Sequence, residues 1–101
     1  MKGEEVGKMK TLKVVKTKKV IFSLKAPEAS HVYLAGGFNG WDTTRHPLKK
    51  EKTGVWKISV NLDPGTYEYL FFVDGQWRGD PQADECVANP FGTNNCLKRV
   101  M

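Results

Sequence analysis

Apolar and polar residues alternate along much of this chain with the period-two rhythm of half-buried β-strands, and no stretch longer than about ten residues keeps a helical period. The clearest run is Val55-Trp56-Lys57-Ile58-Ser59-Val60-Asn61-Leu62, where Trp56, Ile58, Val60 and Leu62 fall on one face. That face predicts a core strand with Trp56 inside. Asp63-Pro64-Gly65 ends it with turn chemistry, and Thr66 to Val73 reads as its hairpin partner. In the partner, Tyr67, Tyr69, Phe71 and Val73 share the face assigned to the core, and Glu68, Leu70 and Phe72 share the outer one. Further strands are predicted over Val20–Ala26, His31–Gly36, Gln76–Arg78, Glu85–Ala88 and Asn95–Val100, with a short edge piece in Pro47–Lys50. Phe38 to Arg45, around Asn39-Gly40, reads as a loop. Seven or so short strands, separated by Gly and Pro turns, predict an all-β immunoglobulin-like sandwich.

Length and charge refine this picture. A chain of 101 residues suits one domain, and at this size folding buries roughly 65% of the unfolded surface. That supports one core and leaves little room for a deep catalytic cavity. The net charge of +5 is unevenly spread: eight of the 16 Lys and Arg residues fall within residues 1–25, against two glutamates. Residues 1–16 show no strand or helix periodicity and read as a basic, flexible arm, with the β-sandwich over 17–101. Nucleic-acid binding calls for cations interleaved with stacking aromatics, and the arm has no aromatic before Phe22. A solvated tail is the better account, and no nucleic-acid partner is expected. Neither a secretory signal nor a membrane span is visible, so a cytoplasmic location and no membrane partner are expected. Cys86 and Cys96 lack nearby histidines, which argues against zinc, and they read as buried thiols. A bridge between them stays open, because both fall near predicted strand ends.

The candidate chemistry lies in two tryptophans. Trp41 closes Phe38-Asn39-Gly40-Trp41 and Trp77 follows the turn Asp74-Gly75-Gln76, so both sit where a core has little use for them. Large flat side chains on loops, near Asn and Thr, suit stacking on a flat and partly apolar partner such as the C–H face of a sugar ring. Leu70 and Phe72 either extend that platform or are covered by a loop or a second subunit. A glycosidase needs paired carboxylates across a cleft. Asp42, Asp74, Asp80, Asp84 and Glu85 mostly stand in turns that explain them without chemistry. No Ser or Cys is arranged beside His31 or His46 as a nucleophile, and no phosphate-cradling glycine loop is present. No catalytic residue, metal or cofactor is expected.

Four ordered blocks carry a family resemblance: Phe38-Asn39-Gly40-Trp41, Tyr69 to Trp77, Asp80-Pro81, and Phe91-Gly92-Thr93-Asn94-Asn95. Over about residues 18–100 the chain resembles carbohydrate-binding module family 48, as in the glycogen-binding domain of the AMP-activated protein kinase β subunit and the N-terminal domains of isoamylases and branching enzymes. The resemblance implies an early-set immunoglobulin-like sandwich that binds α-1,4-linked glucan: glycogen, starch or maltooligosaccharide. It puts the stacking pair on Trp41 and Trp77, and Phe91-Gly92-Thr93 in place of a Leu-Gly-Thr segment that slots inside the curved glucan. It puts a hydrogen-bonding amide on Asn95. Leu70 stands where the kinase subunit has a sugar-contacting lysine, which bears on affinity. Each position also has a plainer reading: Trp41 and Trp77 as caps on the core or the final strand, Phe91 as core, Thr93 and Asn95 as turn formers. An alternative function is a protein-interaction or regulatory domain, with a glycogen-metabolising enzyme or kinase as partner.

Overall fold

A computed structural model describes residues 17–101, so the expected basic arm over 1–16 lies outside the described residues. Eight strands follow in chain order: β1 (Lys18–Lys25), β2 (Val32–Gly36), β3 (Lys49–Lys50), β4 (Val55–Leu62), β5 (Gly65–Val73), β6 (Gln76–Arg78), β7 (Glu85–Ala88) and β8 (Asn94–Val100). They form two antiparallel sheets. One runs β1-β4-β3, and the other runs β2-β5-β8-β7 with β6 paired to β5. The predicted strands are present to within a residue or two at most ends.

The core lies between the sheets and follows strand parity. Phe22 and Leu24 of β1 and Trp56 and Leu62 of β4 face Val32 and Leu34 of β2 and Tyr69, Phe71 and Val73 of β5, all buried. Phe22 and Tyr69 meet edge to face across the sandwich, ring centroids 5.0 Å apart. Each such side chain contributes about 1.5–3 kcal/mol when fully buried. Polar atoms taken inside keep partners: Trp56 Nε1 donates to the Ala26 carbonyl at 2.9 Å, and the Tyr69 hydroxyl donates to Asp80 Oδ2 at 2.7 Å. Burial, reinforced by that carboxylate, holds the Tyr69 hydroxyl protonated far above the ordinary tyrosine range.

One expectation is corrected. β4 and β5 are not hairpin partners: β4 pairs with β1 and β3, whereas β5 pairs with β2, β6 and β8. Side by side in one sheet, their apolar faces would point the same way and both would need the opposite sheet to cover them. Placed in opposite sheets, they bury each other. The short Asp63-Pro64-Gly65 connection therefore carries the chain from one layer to the other. The tight hairpin is instead β5–β6, whose turn residues Asp74 (φ 48) and Gly75 (φ 85) both adopt positive φ, the geometry that matches strand twist in two-residue turns.

Candidate functional site

The β5–β6 hairpin fixes the first element of the site. Its register sets Trp77 directly opposite Phe72, with ring centroids 4.9 Å apart. Phe72 thus backs one side of the indole, and Trp77 remains 50% exposed. The turn itself is tied down by Asp74, whose carboxylate accepts the backbone N–H groups of Ser30 (3.0 Å) and His31 (2.8 Å).

Trp41 is placed by different means. Gly36 ends β2 where an added Cβ would lie 2.5 Å from the Glu68 carbonyl and 2.7 Å from the Phe38 ring, so only glycine admits this approach. A 3-10 turn over Gly37–Asn39 follows. The buried Asn39 side chain organises it: Oδ1 accepts the Gly36 N–H at 3.1 Å, and Nδ2 donates to the Leu34 carbonyl at 3.0 Å and faces His46 Nδ1 at 2.9 Å. Gly40 and Trp41 then both take left-handed backbone (φ 67 and 61), and the Trp41 N–H donates back to the Gly36 carbonyl at 3.0 Å. The half-buried Trp41 indole lies 6.1 Å from that of Trp77, their planes inclined by 72°. The two indoles are steeply angled, a property invisible in the sequence.

The third element is the loop joining β7 to β8. Asn89 binds it from within: Oδ1 accepts the N–H groups of Phe91 and Thr93 (3.0 and 3.1 Å), and Nδ2 donates to Thr93 Oγ1 and Asn95 Oδ1 (2.8 and 3.0 Å). Phe91 projects from this loop 88% exposed. Asn95 is nearly buried and donates through Nδ2 to Glu68 Oε1 at 3.0 Å. Thr93 and Asn95 therefore hold the loop, and each keeps further hydrogen-bonding capacity toward a ligand.

Trp41, Leu70, Trp77, Phe91, Thr93 and Asn95 all line one groove of about 670 Å³, together with Glu68, Asn89 and Pro90. The six residues expected to contact sugar thus line one surface, whereas Phe72 is not part of the lining. Asn89 and Glu68 were missed, although Asn89-Pro90 is a turn signal and Glu68 shares strand parity with Leu70. The plainer readings fare unequally. Trp41 packs against the core as a cap would, while only half-buried; Phe91 is not core, and Trp77 packs on Phe72. Leu70 is only 8% exposed and floors the groove under its own chain, so it needs no second subunit to cover it. Cys86 is exposed and only Cys96 is buried, which corrects the expectation of two buried thiols. The cause is that β7 is the edge strand of its sheet.

Chemically, the groove offers two inclined aromatic faces, a projecting phenyl ring, amide and hydroxyl groups, and one carboxylate from Glu68. Several other acidic residues serve local structure: Asp42 accepts from Thr44 Oγ1 at 2.7 Å, and Glu85 pairs with Arg99 at 2.6 Å. Among the described residues no group of His, Cys, Asp or Glu could hold a metal ion, and no helix is long and apolar enough to cross a membrane.

Comparison with known proteins agrees with the resemblance. Residues 18–100 match the family described as the glycogen recognition site of AMP-activated protein kinase. The chain is 42% identical over 72 residues to Protein PTST homolog 2, chloroplastic, of Arabidopsis thaliana, covering 71% of this chain and 13% of that protein. It is 36% identical over 79 residues to Protein FLOURY ENDOSPERM 6, chloroplastic, of rice, covering 78% and 15%. It is 39% identical over 69 residues to the rat 5'-AMP-activated protein kinase subunit beta-1, covering 68% and 24%. The chain thus spans less than a quarter of the length of each of these relatives. The expectation of a cytoplasmic location is overturned, because the Arabidopsis and rice relatives are chloroplastic. A missing apolar signal speaks to secretion alone, whereas plastid import is read from a different, amphipathic kind of peptide. By the match over residues 18–100, the chain belongs to the family of the AMP-activated protein kinase glycogen recognition site, and is a carbohydrate-binding module rather than an enzyme.

Proposed function

We propose that this module binds α-1,4-linked glucan in the groove between Trp41, Trp77 and the 89–93 loop, and so holds whatever longer chain carries it against the polymer. The observation that carries the reading is the 72° inclination of the two indoles. An α-1,4-glucan curves, so successive glucose faces turn away from one another and meet inclined platforms, whereas flat cellulose favours coplanar ones. Covering on the order of 100 Å² of sugar C–H surface per indole yields about 2.5 kcal/mol before costs. Asn95, Thr93 and Glu68 meet the hydroxyl rim, and Phe91 is free to enter the inside of the curve. After binding entropy and hydroxyl desolvation are subtracted, the expected Kd falls roughly in the micromolar to millimolar range. The chloroplastic relatives favour a plastid α-glucan as the physiological polymer.

Titration with maltoheptaose, followed by indole fluorescence and amide chemical shifts, tests this. Saturable binding is expected, with shifts confined to the groove. Trp77→Ala weakens it by about tenfold or more without loss of fold. No response at several millimolar sugar, or equal affinity in Trp77→Ala, rules the reading out. Docking on another protein through a bare Leu70–Phe72 patch is less well supported, because Trp77 already covers Phe72.

A further inference from the structure

We propose that Cys86 and Cys96 are a reversible dithiol–disulfide pair whose closure clamps the β7–β8 hairpin at the root of the 89–93 loop. That closure tunes sugar binding rests on the function proposed above; that the bond forms does not. The two cysteines occupy directly opposed positions in the antiparallel β7–β8 ladder. Opposed residues in such a ladder point to the same side of the sheet and have Cα atoms about 4.5 or 5.5 Å apart. Both spacings lie within the roughly 4.4–6.8 Å that a disulfide spans. The sulfurs differ in access. Cys86 is exposed at the sheet edge and Cys96 is buried beneath it, and both line one cleft of about 460 Å³ together with Lys25 and Arg78. Arg78 is paired with Glu28 at 3.2 Å and the Asp80 carboxylate lines the same cleft, so Lys25 is the cation left to meet an anionic thiol reagent of the glutathione class. Burial, with a smaller contribution from the neighbouring Cys86, holds the Cys96 thiol above its ordinary range, which leaves Cys86 as the sulfur that begins exchange.

The step balances with a low-molecular-weight disulfide as oxidant. The Cys86 thiolate attacks one sulfur of the reagent, forming a mixed disulfide and expelling one thiolate. The Cys96 thiolate then attacks Cys86 Sγ and expels the second. Two protein thiols are oxidised, one reagent disulfide is reduced to two thiols, and these take up the two protons released.

Closure reaches the groove by two routes. Cys96 adjoins Asn95, which lines the groove, and the bond sits two rungs from the loop at Ala88–Asn94. Cys96 Sγ also accepts the Asp80 N–H at 3.2 Å, three residues after Trp77, so displacing that sulfur pulls on the segment leaving β6.

Incubation of the reduced protein with oxidised glutathione, followed by intact-mass measurement, tests the pair. A loss of about 2 Da with no retained adduct is expected, along with a rise in Tm of about 5 °C or more that dithiothreitol reverses. Cys86→Ser, at an exposed site, shows neither. A lasting glutathione adduct, or two free thiols, overturns the bond. The maltoheptaose Kd is expected to differ by about threefold or more between oxidised and reduced protein, and not to respond in Cys86→Ser. Equal affinity in both states overturns the tuning. Absence of sugar binding in either state sinks the proposed function, and the mass and Tm readings then decide the disulfide alone.

Discussion

Trp41 occupies left-handed backbone with φ 61, which costs an L-residue about 1–2 kcal/mol relative to right-handed conformations. A bulky residue persists there because the Asn39 hydrogen bonds and the Trp41 N–H bond to Gly36 over-determine the turn. Strain is thus concentrated at the residue proposed to stack on sugar. Trp41→Gly and Trp41→Ala both remove the platform and should abolish detectable maltoheptaose binding. In thermal melts the glycine variant should be at least as stable as the alanine one, against the usual order, because glycine accepts positive φ freely. An alanine variant clearly more stable than the glycine one would show that the strain is not real. Leu70 supports a second prediction at this scale. As the groove floor it contributes apolar cover but no donor. Leu70→Lys keeps most of the methylenes and adds an ammonium beside Glu68. One charge-assisted hydrogen bond is worth about 1.5–3 kcal/mol gross, so sugar affinity should rise by up to about tenfold while Tm falls by a few degrees. Calorimetry showing equal or weaker binding would mean the missing lysine does not limit affinity.

At the scale of elements, the 89–93 loop depends on a single side chain. Asn89→Ala removes four hydrogen bonds and frees Phe91 and Thr93 from their relative positions. Because the loop is solvent-exposed, water replaces most of the lost bonds and Tm should fall by only a few degrees. Affinity, which pays for ordering the loop, should fall by about tenfold. A loss of stability with affinity intact would reverse that division and remove the loop from the binding surface. The same loop shows why parts of the site were illegible beforehand. Strand existence and facing were legible because alternation is local: Trp56, Tyr69 and Phe71 went inside as their parity required. Turn residues were legible because Asp74-Gly75 and Asn39-Gly40 have few other uses. Sheet membership was not, because β4 and β5 choose opposite layers to cover each other's apolar faces, a choice that depends on strands far away in sequence. The Asn89 network, the burial of Leu70 and the exposure of Cys86 are likewise set by neighbours: a loop conformation, the surrounding groove and an edge position. Angles between aromatic planes follow only once both turns are built.

Across the whole molecule, charge is sorted between faces. Among the described residues the groove has one carboxylate and no cation in its lining; Lys18, Lys19, Lys25, Lys49, Lys50 and Lys57 belong to strands of the other sheet, and Arg78, Lys98 and Arg99 to strands of the groove's own sheet but outside its lining. Acid therefore acts on the fold through its pinned carboxylates. The N–H groups of His31 and then Ser30 hold Asp74 below the ordinary aspartate value of 3.8. Thr44 does the same for Asp42, and Arg99 holds Glu85 below 4.5. Each group has a lower pKa folded than unfolded, so the unfolded chain binds protons first as pH falls. Their contribution is complete above the ordinary carboxylate range and is lost as pH drops through the depressed folded values. Tm should therefore stay nearly flat from about pH 8 to about pH 5 and fall progressively below about pH 4. Asp74 ties the β5–β6 turn to the start of β2 and so links two sheet edges to the Trp77 platform. Asn at position 74 tolerates positive φ and keeps one acceptor but cannot titrate. Asp74→Asn should then melt lower than the wild type at neutral pH and lose less between pH 4 and pH 2, so that the two curves converge. Parallel curves would mean that this carboxylate is not linked to folding, and that the turn beneath Trp77 is held by its backbone geometry alone.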